Sequence, residues 1–357
     1  MSAPGGPMAE HGGAQQGCRD SFHLITLFGI PIRVHLLLPF CMIAAGISAA
    51  LQTAMYMPAI IMAMVISGPL LFMTVLVHEF GHMFAALRCG CRAEHILLWP
   101  LGGLAVIGQG AQGALSPKEQ IFVSIMGPLT HLPMIAGWYG VLALLNKGHM
   151  TLVDNGYAYT DQLGPLVAMA MISNNVAMLL FNLLVPCFPL DCSQILVSAM
   201  LWSGYQPSFA AKILVFLSIP VLCVLVGLAL MSYVDGSGSG SSLMSFFNVF
   251  MAFWLAQQTY ALHQARVTGN LAAYPLFSSA MRGGNSASGR SASTATPGGQ
   301  SVSGMSARSW KPFQGDGVTL GRPGHAPPGN QQVCMAALLC VAISHYYACS
   351  AAPALSL

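Results

Sequence analysis

Six apolar segments, at about 36–52, 59–88, 120–146, 163–186, 211–233 and 241–262, limit what this chain can become. Each is near the roughly 20 residues that cross a bilayer as a helix. Inside lipid a backbone must satisfy its own hydrogen bonds, which leaves helices or a closed barrel, and segments of this length are helical. Charge agrees: only 6% of residues are Asp, Glu, Lys or Arg, against about 25% in a soluble domain. The expected fold is an all-α, multi-pass integral membrane protein of about six transmembrane helices. The net charge of +3 is small and its basic residues are spread along the chain, which argues against a nucleic-acid partner.

The second apolar segment holds His78-Glu79-Phe80-Gly81-His82. On a helix, positions i and i+4 share a face, so His78 and His82 can offer two imidazole nitrogens to one metal ion. Glu79 stands beside them, placed to take a proton from water. Three fixed residue types alone could arise by chance. Charged and polar groups at membrane depth are costly, however, and are rarely kept there without a task.

Of the ten acidic residues, only Glu79 and Asp191 lie near apolar spans. A catalytic zinc takes three protein ligands and keeps one position open. Asp191 is the candidate third ligand, because Pro186 and Pro189 break the helix just before it and free the chain to turn inward. It could instead cap the helix that follows. The ten cysteines suggest no disulfide framework: Cys41, Cys187 and Cys223 fall in apolar runs, and Cys89-Gly90-Cys91 lacks a second metal-binding pair.

Between the second and third segments, two short apolar runs flank Pro-Leu-Gly-Gly, which predicts a membrane-associated β-hairpin over 95–107. Non-helical backbone at that depth has to line a cavity or pack on protein. Residues 21–35 read as a strand or interfacial segment, since Pro31 opposes a helix. Four regions are expected: a disordered tail over 1–20, a core over 21–262, a disordered Gly/Ser/Pro-rich tail over 263–330, and an apolar segment over 331–357 that could be a further span. With six spans and a cytoplasmic N-terminus, Lys147 alone of the 13 basic residues falls outside, in keeping with the positive-inside rule.

In order, Phe-Gly-Ile-Pro-Ile-Arg-Val-His at 28–35, His-Glu-Phe-Gly-His at 78–82, Pro-Leu-Gly-Gly at 100–103, Gly-Pro-Leu at 127–129 and Phe-Asn-Leu-Leu with Pro-Leu-Asp at 181–191 resemble the site-2 protease family of intramembrane zinc metalloproteases. The resemblance covers about residues 28–200. It implies one zinc held by His78, His82 and Asp191, with Glu79 as general base. It implies that Asn175 and Asn182 line the site, and that the hairpin with Gly102 and Gly103 receives an unwound substrate strand. The implied substrates are single-span proteins within the lipid bilayer. The chain departs from the family pattern at Cys192, where Gly is usual, at an extra Val185, and at His131, where Asn is common. His131 could be a site residue, a partner to a ligand, or a core histidine with its hydrogen bonds satisfied; the last is expected.

Two other functions compete. An inactive homologue would keep the fold and bind membrane substrates without cutting them, yet its Glu would be the first residue expected to decay. A metal or proton transporter would be expected to show paired polar spans or a structural repeat, and none is evident in the sequence.

Overall fold

The computed structural model describes residues 21–40, 64–99, 102–108, 114–145, 163–234, 241–277 and 331–334, with isolated positions between 43 and 61. The expected tail over 1–20, most of the first apolar segment, residues 278–330 and residues 335–357 lie outside the described residues.

The chain opens with β1 (Ser21–Leu27) and β2 (Ile30–His35), an antiparallel pair. Phe28 and Gly29 both have positive φ, 53° and 78°, which suits the two-residue turn between them. A π-helical turn, Ile66–Leu70, leads into α1, Leu71–Arg88. Gly68 and Pro69 lie in that turn, so the sequence's one helix breaker here marks where α1 begins. Next come β3 (Arg92–Trp99) and β4 (Gly102–Gly108), antiparallel to each other. Five further helices complete the core: α2 (Pro117–Leu129), α3 (His131–Leu145), α4 (Leu163–Leu184), α5 (Asp191–Trp202) and α6 (Pro207–Val234). A further helix, α7, covers Ser241–Val267. A final strand, β5, is Gln331–Cys334.

The molecule is therefore mostly helical, with a small sheet. Among the described residues four stretches are long and apolar enough to cross a membrane: Ile66–Arg88, Pro117–Leu145, Gly164–Leu184 and Pro207–Leu228. The all-α expectation needs correcting on one point. The expected hairpin is present but is the centre of a five-stranded sheet ordered β1-β2-β3-β4-β5, in which β2 and β3 run parallel. Side chains of β2 alternate buried and half-buried, the period-two signature of a strand with one covered face. Ile30, Ile32, Ile96, Leu98, Ala105 and Ile107 pack that face onto Val75, Phe80 and Met83 of α1. This joins the sheet firmly to the helix that carries the histidines.

The segment expected at 120–146 is interrupted at Thr130, where α2 ends and α3 begins. Its start is fixed by a capping box: the Ser116 amide donates to Glu119 Oε2 at 2.8 Å, and the Glu119 amide donates back to Ser116 Oγ. At the other end of the core, ordered structure runs past the expected boundary at 262. α7 continues to Val267, and Leu271, Leu276 and Phe277 are buried against Leu201 and Leu214. These few apolar residues sit at the head of a Gly/Ser-rich stretch, whose composition hides them.

Candidate metal centre

His78, Glu79 and His82 lie on α1, and all three are fully buried. Asp191, also fully buried, is the first residue of α5. The carboxylate reaches both imidazoles: Oδ2 is 3.2 Å from His78 Nε2, and Oδ1 is 3.3 Å from His82 Nε2. The two Nε2 atoms are 3.0 Å apart. One donor atom from each residue thus lies within 4.8 Å of the others.

Hydrogen bonds behind the imidazoles fix which nitrogens carry protons. The carbonyl of Val123 can only accept, so His82 Nδ1–H donates to it at 2.8 Å. The Asn175 amide donates from Nδ2 to the carbonyl of Met171, which leaves Oδ1 to accept from His131 Nδ1–H at 2.9 Å. His131 Nε2 then accepts from His78 Nδ1–H at 3.0 Å. His78 is left with a bare Nε2 lone pair pointing at the carboxylate, and His82, when neutral, presents the same. Two imidazole nitrogens and an anionic oxygen thus converge, an arrangement that suits a cation. Their spacings are close to the edge of a tetrahedron with zinc–nitrogen bonds of about 2.0–2.1 Å, roughly 3.3–3.4 Å. The donor set fits a metal ion.

Asp191 does not cap α5. Leu190 is the N-cap without a side-chain hydrogen bond, and neither Asp191 oxygen takes a hydrogen bond from a backbone amide. What orients the carboxylate is the loop before it and the neighbouring helix. Gln120 Nε2 on α2 donates to Gln194 Oε1 on α5 at 2.9 Å, while Gln194 Nε2 donates to the Pro189 carbonyl. Sequence reading passed over both glutamines; a buried amide pair between distant segments leaves no local pattern. Cys192 sits in ordinary right-handed helix rather than among the positive-φ residues, so the absence of Gly there strains nothing. Burial, together with the adjacent Asp191 charge, pushes its thiol pKa up.

Two glycines permit close approach. A Cβ on Gly103 would lie 2.5 Å from Glu79 Cγ and Oε1, so β4 passes directly over the glutamate. A Cβ on Gly127 would collide with the His82 ring, so α2 passes as closely over the second histidine. Gly102 begins β4 with φ 148° and is buried. Asn175 belongs to the His131 hydrogen-bond chain, and Asn182, seven residues along α4, is fully buried. His131 is thus both hydrogen-bonded at each ring nitrogen and the direct partner of His78, a candidate ligand, and not simply a core residue. On β3, outside the helices, half-burial lowers the pKa of His95, and the nearby Arg33 charge adds to the effect.

Apolar helices around a buried His/His/Asp group define an integral membrane protein with a candidate metal centre at membrane depth. Residues 69–227 match the model of peptidase family M50, the site-2 protease family that the motifs resemble. A zinc metalloprotease of Methanocaldococcus jannaschii is 28% identical over 60% of this chain and 56% of its own length. Rip3 of Mycobacterium tuberculosis, which bears a provisional zinc metalloprotease name, is 31% identical over 51% of this chain and 43% of its own. The chain thus spans about half the length of these curated relatives. The solved Site-2 Protease from Methanocaldococcus jannaschii aligns with TM-score 0.44 and 21% identity, over 67% of this chain and 95% of that one.

Proposed function

We propose that this chain is an intramembrane zinc metalloendopeptidase that cuts membrane-anchored, single-span proteins in or near their transmembrane segments. The observation that carries the reading is the convergence of His78 Nε2, His82 Nε2 and an Asp191 oxygen beside Glu79, beneath a strand that passes over that glutamate. Zinc held there would polarise the scissile carbonyl and make a water nucleophilic near neutral pH.

The chain's own residues do the rest. Glu79 takes the proton of the attacking water and delivers it to the leaving amine. His131 and Asn175 keep His78 in the tautomer that presents Nε2. The amide of Asn182, buried on the same helix as Asn175, steadies the substrate backbone or the developing oxyanion. Gly102 and Gly103 let the substrate strand approach, because the edge of β4 offers backbone hydrogen bonds to an extended peptide. A helical substrate hides its peptide bonds, so it has to unwind to be cut. The finer topology belongs to the same reading: six spans, an N-terminus in the cytoplasm, and water reaching the site from that side.

The test pairs metal content with cleavage. Wild type and Glu79→Gln, purified in detergent, should each hold about one zinc per chain, and only wild type should cut peptides that contain a single span. Zinc in both with cleavage by neither would support an inactive homologue that binds substrates. Absence of zinc from both would overturn the ligand assignment and reopen the transporter reading.

A further inference from the structure

The edge of β4 that faces away from β3 is taken. Strand β5, Gln331–Cys334, pairs with it antiparallel: Val106 with Gln331, Ala105 with Gln332, Leu104 with Val333, and Gly103 with Cys334. The pairing ends at a significant place. Gly103 is the residue whose missing Cβ makes room for Glu79, so the C-terminal end of β5 arrives level with that carboxylate. β5 also rests against α1, which carries His78, Glu79 and His82, and against α5, which carries Asp191. A segment far along the chain is thus brought, as an extended strand, to the one sheet edge beside the metal-binding group.

We propose that Gln331–Cys334 is an intramolecular occupant of the peptide-binding edge, filling the position a substrate strand would take and leaving before a substrate enters. The inference rests on the reading above in treating the β4 edge as the substrate's place. Its chemistry is that of strand addition. Ladder hydrogen bonds are made by backbone groups and ask little of the side chains, so any extended segment able to reach the edge can compete for it. An uncovered edge beside apolar helices would also invite pairing between chains, and a tethered strand prevents that. The sequence around β5 has a substrate-like layout. Immediately after Cys334 comes Met-Ala-Ala-Leu-Leu-Cys-Val-Ala-Ile, residues 335–343, apolar and without charge. The pairing spans only four residues, few enough for exchange. Tethering keeps the strand at high local concentration, so a separate peptide has to outcompete a partner that never diffuses away.

Proline tests this in the full-length chain. A Gln332→Pro/Val333→Pro variant removes the one ladder amide that this adjacent pair turns towards β4 and bars its regular pairing, without changing the site. A chain ending at Asn330 is the second variant. Zinc content reports whether each retains its core. Two readouts follow. Hydrogen exchange at those amides of Gly103–Val106 that face β5, which alternate with the ones facing β3, should be faster in both variants than in the parent. On a Glu79→Gln background, a fluorescent single-span peptide should bind both variants more tightly. A strand that closes the edge about 90% of the time lowers apparent affinity about tenfold. Unchanged protection of β4, or unchanged peptide affinity, would overturn the proposal. The protease reading is judged separately, with Glu79 intact. Cleavage by none of the chains, alongside faster exchange and tighter binding in the variants, would sink the protease and leave the strand occupancy standing.

Discussion

His131 Nε2 lies 3.0 Å from His78 Nδ1, and the two rings are fully buried on helices separated by 53 positions in sequence. The contact extends through His131 Nδ1 to Asn175 and on to the Met171 carbonyl. Each atom in that chain either donates or accepts, and the direction is set by the carbonyl at its end. The consequence is a bare Nε2 on His78, the nitrogen it would offer a metal ion.

His131→Leu removes the acceptor behind His78. Zinc affinity should fall about 10- to 100-fold, as for other groups that hold a ligand histidine. His131→Asn should recover much of this, because an amide oxygen can accept the same proton. Competition with a calibrated chelator measures both. Equal affinity for wild type and His131→Leu would show that the contact positions nothing.

Gly103→Ala places a methyl group 2.5 Å from Glu79 Cγ and Oε1. Either the strand or the glutamate has to shift, and misplacing a reacting group by about 1 Å costs on the order of 100-fold in rate. Peptide cleavage should drop by that order while zinc content stays at wild type. Zinc loss would mean that the strand also supports the ligands.

Gly127→Ala strikes a ligand instead. Its Cβ would overlap the His82 ring, with the backbone of α2 behind it. Both metal binding and thermal stability should suffer, the latter by about 1–3 kcal/mol, the usual cost of overpacking. Zinc analysis and melting in detergent separate this variant from Gly103→Ala.

Cys192→Gly restores the residue common at this place in the family. Since Cys192 is helical and needs no positive φ, the change should leave cleavage intact and cost about 0.5–1 kcal/mol of stability. A large gain in activity would show that the turn at Asp191 is held in the wrong place by the cysteine.

Gln194→Ala breaks the bond from Gln120 and leaves that buried amide only its longer, 3.4 Å bond to Ser124 Oγ. The expected cost is about 1–3 kcal/mol in stability, with weaker zinc retention because Asp191 loses a tie to α2. Gln120→Leu/Gln194→Leu, which removes both partners, should be milder than the single change. A single variant as stable as wild type would contradict the role given to this pair.

The metal motif was legible locally because helical periodicity alone puts His78 and His82 on one face, and length with hydropathy alone demanded membrane helices. Asp191 could be singled out by scarcity, as one of two acidic residues near the apolar spans, yet its alternatives, ligand or cap, stayed open. The fold removes the cap, by leaving the carboxylate without a backbone amide to bind, and carries α5 against α1 so that the carboxylate meets both imidazoles. His131, Gln120 and Gln194 depend on contacts between segments distant in sequence, and such contacts leave no period or spacing to read. The sheet is similar. Each strand announces itself by alternation, but the parallel pairing of β2 with β3 and the return of β5 to β4 join segments far apart in the chain. Sequence thus determined the elements, which short-range sterics and burial period dictate. Tertiary structure decided which elements meet, because that depends on how whole faces pack together.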